Sequence, residues 1–268
     1  MLAFSLTLVG CAGVDQTKIT FDNASVRLPE NVFGEYAVET NAMADEADSK
    51  FSWQKFRVNY DPHSLDKLTE QLPPGKTLPV IVYFHGCAGM TKPSTRHIRL
   101  LATLDDFVVI GPDSFARPRP EYCFGNRTVD WNVQPQVVKM RYAEIHEALT
   151  RVAGYPWVDK ANIFLIGHSQ GGGIVASYAG AVRVRGRIIL NGACGTHNGG
   201  NGLRDDEVVL TFDAGRDPWF TKFFPECRNF VRNHPNGKSI WEPKGTTHDT
   251  VLKHWPVVWS FLKDNRIQ

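Results

Sequence analysis

A serine stands between glycines where an apolar run of the sequence gives way to a helical pattern. The run Ile163–Gly167 has the length and composition of a buried strand, and Ser169 follows it after one residue. Gly167 and Gly171 leave room for a sharp strand-to-helix turn, because side chains two positions before and after the serine would collide there. Such a turn exposes a hydroxyl above a helix N-terminus, which stabilises developing negative charge. The pattern therefore predicts that Ser169 is a nucleophile.

The chain downstream of this serine supplies a candidate acid and a candidate base. An activated serine needs both, because the base removes the hydroxyl proton and the acid orients the base. Asp217 follows the strand-like run 208–212, and His248 follows a second short run at 240–241. Asp213 is an alternative acid, but it lies at the end of its strand, so the spacing favours Asp217. The order serine, acid, histidine, each after a strand, is the order of α/β-hydrolases.

Two backbone N–H groups are candidates for binding the oxygen that becomes negative when a carbonyl is attacked. The glycine-rich segment 85–89 ends the first clear strand, and its turn can aim the N–H of Cys87 at a substrate oxygen. The N–H of Gln170, directly after the serine, would be the second donor. We expect His85 to support this turn, and Arg141 to form a structural ion pair on its helix.

Strand-length apolar runs alternate with helical patterns from residue 78 onward. The runs lack strict alternation of apolar and polar residues, as expected of strands buried on both faces. They lie at 78–84, 107–111, 163–167, 187–190 and 207–212. Helices are predicted over 138–152, where apolar residues recur every three or four positions, over 172–182 and over 250–263. This alternation predicts βαβ units, a mainly parallel sheet and one domain.

The composition is that of an ordinary globular protein and excludes several classes. The chain has 268 residues, with 30 Lys and Arg against 28 Asp and Glu, and its formal net charge is +2. This near-neutral balance gives no electrostatic reason to expect nucleic acid as a partner. No apolar run approaches the roughly 20 residues that span a bilayer. The length suits one large α/β domain with a substantial core.

Two cofactor-binding patterns are incomplete in this sequence. Residues 171–176 match the dinucleotide pattern G-x-G-x-x-A, which also requires an acidic residue about 20 positions later to bind a ribose. The next acidic residue is Asp205, beyond the following predicted strand. His146 and Glu147 begin a zinc-binding motif, but Thr150 occupies the position of its second histidine. We therefore expect no nucleotide, metal or organic cofactor.

Five segments of the sequence resemble α/β-hydrolases of the dienelactone hydrolase-like branch. They are HGCAG (85–89), PDSFARP (112–118), VDKANIFLIGHSQGGG (158–173), AGRDPW (214–219) and GTTH (245–248). The resemblance spans residues 78 to 264 and implies the α/β-hydrolase fold, with a mainly parallel central sheet and helices on both faces. It implies Ser169 as nucleophile, Asp217 as acid and His248 as base, with the N–H groups of Cys87 and Gln170 as the oxyanion hole.

The nucleophile departs from the pattern of this branch. Dienelactone hydrolases proper use a cysteine, whereas this chain has Ser169, so their narrow lactone activity is not implied. We expect a serine esterase that cleaves small or polymeric carboxylic esters through an acyl-serine, with thioesters and peptides as alternative substrates. HGC, Cys123 and Trp131 show a looser similarity to extracellular polyhydroxybutyrate depolymerases and feruloyl esterases. A non-catalytic binding protein of the cell envelope is the alternative outside enzymes.

The N-terminus resembles an export signal. Residues 1–10 are apolar or small and uncharged, and Leu8–Cys11 resembles the bacterial lipobox, whose cysteine carries lipid after cleavage. We therefore expect a protein of the bacterial cell envelope or periplasm, anchored by lipid at Cys11. The alternative is a cytoplasmic protein in which this stretch is a buried first strand. The expected organisation is a signal-like segment 1–11, an N-terminal extension 12–77 packed on the same domain, and a hydrolase core 78–268.

Four cysteines remain besides Cys11, an even number that an oxidising compartment could pair. In the α/β-hydrolase fold, Cys87 and Cys123 each follow strands that would be neighbours, and so do Cys194 and Cys227. We therefore predict the disulfides Cys87–Cys123 and Cys194–Cys227, toward the carboxyl edge of the sheet.

Overall fold

Apolar runs of the sequence form one six-stranded sheet within the described part of the chain. The computed structural model describes residues 72–104, 107–115, 121, 123–124, 129–130, 132–194, 202–219 and 227–268. The strands are β1 (Leu78–Phe84), β2 (Val108–Ile110), β3 (Val158–His168), β4 (Gly186–Leu190), β5 (Val208–Ala214) and β6 (Gly237–Glu242). Residues 1–71 and Trp131 lie outside the described residues, so Cys11, the signal-like segment and most of the N-terminal extension remain predictions.

Helices connect these strands. They are α1 (Lys92–Leu101), α2 (Gln134–Gly154), α3 (Gln170–Ser177), α4 (Cys227–Val231) and α5 (Trp255–Asp264), the last entered through a 3₁₀ helix at Thr250–His254. The sequence patterns above predict α2, α3 and α5 but neither α1 nor α4. Of the helices in these residues, none combines the length and the apolar character that crossing a membrane requires.

All neighbouring strands are parallel, and their order across the sheet is β2-β1-β3-β4-β5-β6. In the centre, Ile81 of β1 pairs with Val109 on one side and with Phe164 on the other. Because parallel strands all end at one edge, the segments that follow β1, β3, β4 and β5 gather there. The mainly parallel sheet is confirmed.

Helices cover both faces of the sheet. Val80 and Val82 of β1 pack in one apolar cluster with Leu149 of α2. Ile81 lies between them in sequence and packs on the opposite face, in a second cluster that includes Leu262 of α5. All five side chains are fully buried. A strand buried on both faces needs apolar residues at every position, which is why these runs lack alternation.

Helix α3 ends at Ser177, earlier than the predicted end at 182. The buried guanidinium of Arg187 on β4 donates to the carbonyl oxygens of Val175 at 2.7 Å and Tyr178 at 2.8 Å. The N–H of Gly202 donates to the carbonyl oxygen of Ala176 at 3.1 Å. Because partners from later in the chain satisfy these carbonyls, the helix stops there. The predicted end was wrong for this reason.

Two disulfides tie loops together at the carboxyl edge. Cys87–Cys123 joins the turn after β1 to a segment that forms a bridge with Val129, and its Cα atoms are 5.9 Å apart. Cys194–Cys227 joins the segment after β4 to the start of α4, with Cα atoms 4.8 Å apart. Both predicted pairings are confirmed.

Candidate active site

Ser169 occupies a turn between β3 and α3, with His168 ending the strand and Gln170 beginning the helix. Its backbone has φ 56° and ψ −118°, in the left-handed half of conformational space that a residue with a side chain rarely adopts. A Cβ at position 167 would overlap the carbonyl of Gly171, and one at position 171 would overlap the carbonyl of Phe84. The two glycines therefore permit the strained turn that the sequence predicts.

Asp217 and His248 meet at the carboxyl edge of the sheet. His248 Nδ1 lies 2.7 Å from Asp217 Oδ2 and 2.9 Å from Oδ1, and the N–H of Trp219 donates to Oδ1 at 2.9 Å. The Asp217 side chain is buried, and the His248 side chain is 15% exposed. A carboxylate on Nδ1 holds the imidazole in the tautomer whose Nε2 can accept a proton.

The alternative acid lies elsewhere. Asp213 belongs to β5 and is buried there. Its Oδ2 accepts a hydrogen bond from the backbone N–H of Arg228 at 3.2 Å, which ties the strand to α4. The hydrogen bonds thus bring His248 together with Asp217, whereas Asp213 joins β5 to α4.

The turn that carries Cys87 lies against the serine. A Cβ at position 86 would be 3.3 Å from Ser169 Cβ, a closer contact than most Cβ atoms make, so glycine eases this approach. The turn is closed by a hydrogen bond from the N–H of Gly89 to the carbonyl of Gly86 at 3.1 Å. Gly86, the neighbour of Cys87 in the chain, therefore lies beside Ser169, which directly precedes Gln170 and α3.

Buried polar groups hold this turn from behind. The N–H of Ser114 donates to His85 Nε2 at 3.0 Å, so His85 carries its proton on Nδ1, which donates to the carbonyl of Gly86 at 2.6 Å. Arg141 Nη2 donates to the carbonyl of His85 at 2.8 Å, and its Nη1 pairs with Glu144 Oε1 at 2.9 Å. The supporting role predicted for His85 and the ion pair predicted for Arg141 are confirmed.

His168 supports the segment of His248. Its Nε2 donates to the carbonyl of His248 at 2.8 Å. Burial, together with the nearby imidazoles of His248 and His97, lowers the pKa of His168 to about 3. The side chain is therefore neutral at ordinary pH and acts as a fixed donor.

A second hydrogen-bonded chain lies behind His168. His97 Nε2 donates to Asp249 Oδ1 at 2.7 Å, and the hydroxyl of Tyr83 lies 2.8 Å from His97 Nδ1. Burial alone would raise the pKa of Asp249, but the hydrogen bond from His97 and the nearby charges lower it. Despite this concentration of imidazoles and acids, no three His, Cys, Asp or Glu side chains in the described residues are arranged to hold a metal ion.

Apolar side chains flank His248. The Trp219 ring lies 5.8 Å from the His248 ring, measured between centroids. Trp219 also belongs to a small cluster with the Cys87–Cys123 disulfide and three valines, Val129, Val133 and Val137. A group of a bound molecule that lay beside His248 would therefore contact apolar surface.

Sequence reasoning missed Asn191. Its side chain donates to Asp217 Oδ2 at 3.0 Å, and its backbone has φ 46°. The signal was present, since Asn191-Gly192 directly after a strand is a pair that favours positive φ. The partners of the amide lie 26 and 59 residues away, so the local pattern does not indicate its hydrogen bonds.

Comparisons with known proteins show the fold. No protein-family model matches the chain, and no curated protein does. Among solved structures, Est1E from Butyrivibrio proteoclasticus aligns with TM-score 0.51 and 15% identity over 74% of this chain and 91% of that chain. A phospholipase/carboxylesterase from Dyadobacter fermentans aligns with TM-score 0.52 and 16% identity over 72% and 93%.

A Klebsiella pneumoniae protein, provisionally assigned as a dienelactone hydrolase, aligns with TM-score 0.52 and 16% identity over 72% of this chain and 89% of that chain. At these identities the likeness concerns the fold alone. Together with the parallel sheet covered on both faces, it confirms that the chain has the α/β-hydrolase fold.

Proposed function

We propose that the chain is a serine ester hydrolase of the dienelactone hydrolase-like branch, which cleaves carboxylic esters through an acyl-serine. The observation that carries the proposal is the hydrogen bond of 2.7 Å between His248 Nδ1 and Asp217, at the same sheet edge as the strained turn of Ser169. A strained serine and an oriented histidine serve nucleophilic catalysis, and a protein that only binds ligands needs neither.

The proposed reaction has two halves. Ser169 Oγ attacks the acyl carbon while His248 Nε2 takes its proton, and the N–H groups of Cys87 and Gln170 bind the oxygen that becomes negative. His248 then protonates the leaving alkoxide, and the acyl-serine remains. In the second half, His248 takes a proton from water, the resulting hydroxide attacks the acyl carbon, and Ser169 Oγ recovers its proton as the acid leaves. Asp217 stabilises the charged imidazole in both halves.

A fluorophosphonate probe tests the nucleophile directly. We expect covalent labelling at Ser169, turnover of p-nitrophenyl esters by the wild-type chain, and loss of both in Ser169→Ala. Because triad residues act as a unit, Ser169→Ala with His248→Ala should be barely slower than either single variant. A folded wild-type chain that takes no label and hydrolyses no ester would overturn the proposal and favour a binding protein.

The acyl class is tested separately. The apolar wall formed by Trp219 and the Cys87–Cys123 cluster supports an ester with an apolar group at this side of the site. A series of p-nitrophenyl esters of increasing acyl length, measured beside thioesters and peptides, identifies the preferred class. Faster turnover of peptides than of every ester would replace the esterase proposal by a serine peptidase.

We also propose that the protein belongs to the bacterial cell envelope and carries lipid on Cys11. The Leu8–Cys11 segment supports the anchor, and the two disulfides support an oxidising compartment. Mass spectrometry of the native N-terminus tests it, with a lipid-modified Cys11 as the expected first residue. An intact Met1 on protein from the cytoplasm would contradict it.

A further inference from the structure

The carboxyl end of β4 connects the three segments that carry Ser169, Asp217 and His248. The carbonyl of Leu190, the last residue of β4, accepts the N–H of Ser169 at 2.9 Å. The next residue, Asn191, forms hydrogen bonds with Asp217 and with Thr250, which lies two residues after His248. Both residues of this junction are 1% exposed, so neither is available to solvent.

Both polar atoms of the Asn191 side-chain amide are hydrogen-bonded. Its Nδ2 donates to Asp217 Oδ2 at 3.0 Å and to Thr250 Oγ1 at 2.9 Å, and its Oδ1 accepts the N–H of Thr250 at 3.1 Å. The backbone N–H of Asn191 donates to the carbonyl of Phe212 on β5 at 2.8 Å. An amide nitrogen carries two hydrogens, and here one binds the acid while the other binds the segment after the base.

The backbone of Asn191 restricts which residue can stand there. Its φ of 46° lies in the left-handed region, which glycine, asparagine and aspartate tolerate best. Glycine has no side chain, and an ionised aspartate has no hydrogen to donate to Asp217. Asparagine alone among the three supplies both donors and the acceptor.

We infer that Asn191 is a positioning residue that holds the Asp217 carboxylate and the segment of His248 in one geometry. This inference rests on the proposed function. Asn191 acts through Asp217 and Thr250, since it donates to the same Oδ2 of Asp217 that lies 2.7 Å from His248 Nδ1. The carbonyl of Leu190, the residue before Asn191, accepts the N–H of Ser169 and so links Asn191 to the turn of Ser169.

Two substitutions test the role. Asn191→Gly keeps the backbone conformation and removes all three side-chain bonds, whereas Asn191→Asp keeps the shape and places a carboxylate where a donor binds Asp217. We expect kcat to fall about 10- to 100-fold in both, with KM within a factor of about three, because misplacement of a catalytic group by about 1 Å has effects of this size.

The pH profile separates positioning from general destabilisation. Three titratable groups lie near His248. Asp217 binds its Nδ1, and the His168 ring lies 5.0 Å away between centroids. The third is Asp249, the next residue in the chain, which accepts a hydrogen bond from His97. In Asn191→Asp the new carboxyl group lies beside Asp217, 3.0 Å from it in the wild-type geometry, so the two share one proton until the pH rises. When that proton leaves, the added negative charge favours the protonated imidazole of His248, which cannot act as a base. The acidic limb of kcat/KM should therefore move to higher pH.

Asn162 provides a matched control. It is equally buried, and its amide makes the same kinds of bond: Nδ2 donates to Asp159 Oδ2 at 2.7 Å and to a carbonyl, and Oδ1 accepts a backbone N–H at 2.8 Å. It lies on the same strand as His168 but several residues before its carboxyl end. Asn162→Asp should lower the melting temperature and leave kcat and the pH profile as in the wild-type chain.

A spectroscopic measurement keeps this inference separate from the proposed function. We expect the proton between His248 Nδ1 and Asp217 to give a low-field NMR resonance, which its loss in His248→Ala would assign. It should shift or broaden in both Asn191 variants and persist in Asn162→Asp, whether or not the chain hydrolyses esters.

The outcomes that overturn the inference are specific. Folded Asn191 variants with an unchanged resonance, kcat and acidic limb would overturn it, as would an equal effect of Asn162→Asp. If neither Asn191 variant folds, Thr250→Val removes only the hydroxyl that accepts from Asn191, and an unchanged kcat would overturn the inference. An inactive, unlabelled wild-type chain whose resonance still depends on Asn191 would instead overturn only the esterase proposal.

Discussion

The Asp217 carboxylate receives hydrogen bonds from three separate parts of the chain: the His248 ring, the backbone of Trp219 and the amide of Asn191. Asp213, only four residues earlier, is buried but serves α4 through the N–H of Arg228. Asp213 and Asp217 are both buried, but they orient different groups. Asp213 lies inside β5 and binds the start of α4, whereas Asp217 lies beyond β5 and binds the His248 ring.

This difference predicts unequal effects of the same substitution. Asp217→Asn should lower kcat/KM by about 10⁴-fold, since an amide no longer fixes the imidazole tautomer or stabilises its charge. Asp213→Asn, the matched control, should cost less than about tenfold, or roughly 1.4 kcal/mol of transition-state stabilisation. Steady-state kinetics of both variants on one ester decide this, and the reverse ranking would contradict the assignment of the acid.

The buried imidazole of His168 predicts a pH dependence of stability. Burial lowers its pKa from 6.5 to about 3 in the folded chain. Between these values the unfolded chain binds a proton that the folded chain does not, so the free energy of unfolding decreases as the pH falls. His168→Gln keeps a donor for the His248 carbonyl but does not titrate, so its stability should fall less steeply. Urea unfolding across this pH range measures the slope, and equal slopes would contradict the prediction.

At the scale of elements, the site depends on how closely α3 approaches β1. The backbone of α3 begins against the carbonyls at the end of β1, and a Cβ at Gly171 would overlap those of Phe84 and His85. The same approach places the turn of Cys87 beside Ser169. Helix α1 contributes differently: it carries His97, whose ring lies 5.3 Å from the ring of His168.

Gly171→Ala tests this approach. The added methyl group meets backbone atoms that cannot move aside, so we expect a loss of about 1–3 kcal/mol or more in the free energy of unfolding, and loss of activity. Gly154→Ala is the control, since a Cβ there meets no atom within 4 Å and φ is not positive. That variant should be as stable as the wild-type chain or more stable. Similar denaturation midpoints for the two variants would contradict the expectation.

At the scale of the whole molecule, covalent links join the loops at the carboxyl edge. Cys87–Cys123 spans 36 residues and Cys194–Cys227 spans 33 residues, and each link joins a segment after a strand to a later part of the chain. Only Cys87–Cys123 includes a residue of the proposed oxyanion turn. The two links therefore constrain the unfolded chain similarly but differ in what they hold when it is folded.

Removal of each link should separate stability from activity. Replacing both cysteines of either pair by alanine should lower the free energy of unfolding by about 2–4 kcal/mol. The variant without Cys87–Cys123 should also lose kcat, because its oxyanion turn is less firmly held, whereas the variant without Cys194–Cys227 should lose less. Thermal unfolding and kcat of the two double variants, measured below their melting temperatures, test this. Equal loss of kcat in both would show that the link at Cys87 has no special role.

The sequence by itself determined the features that depend on local pattern. Runs without alternation predicted strands buried on both faces, and the glycines around Ser169 predicted a turn that no other residue type permits. The spacing after each strand singled out Asp217 and His248, because the carboxyl ends of parallel strands share an edge. Both disulfides followed from the same placement.

Tertiary structure decided whatever depends on partners distant in the chain. The end of α3 is set by Arg187 and Gly202, and His97 is held by Asp249, 152 residues away. The role of Asn191 arises only when the segments of Asp217 and Thr250 are folded against it. A local pattern records which conformation a residue favours, but a hydrogen bond between distant residues exists only once the sheet has brought them together.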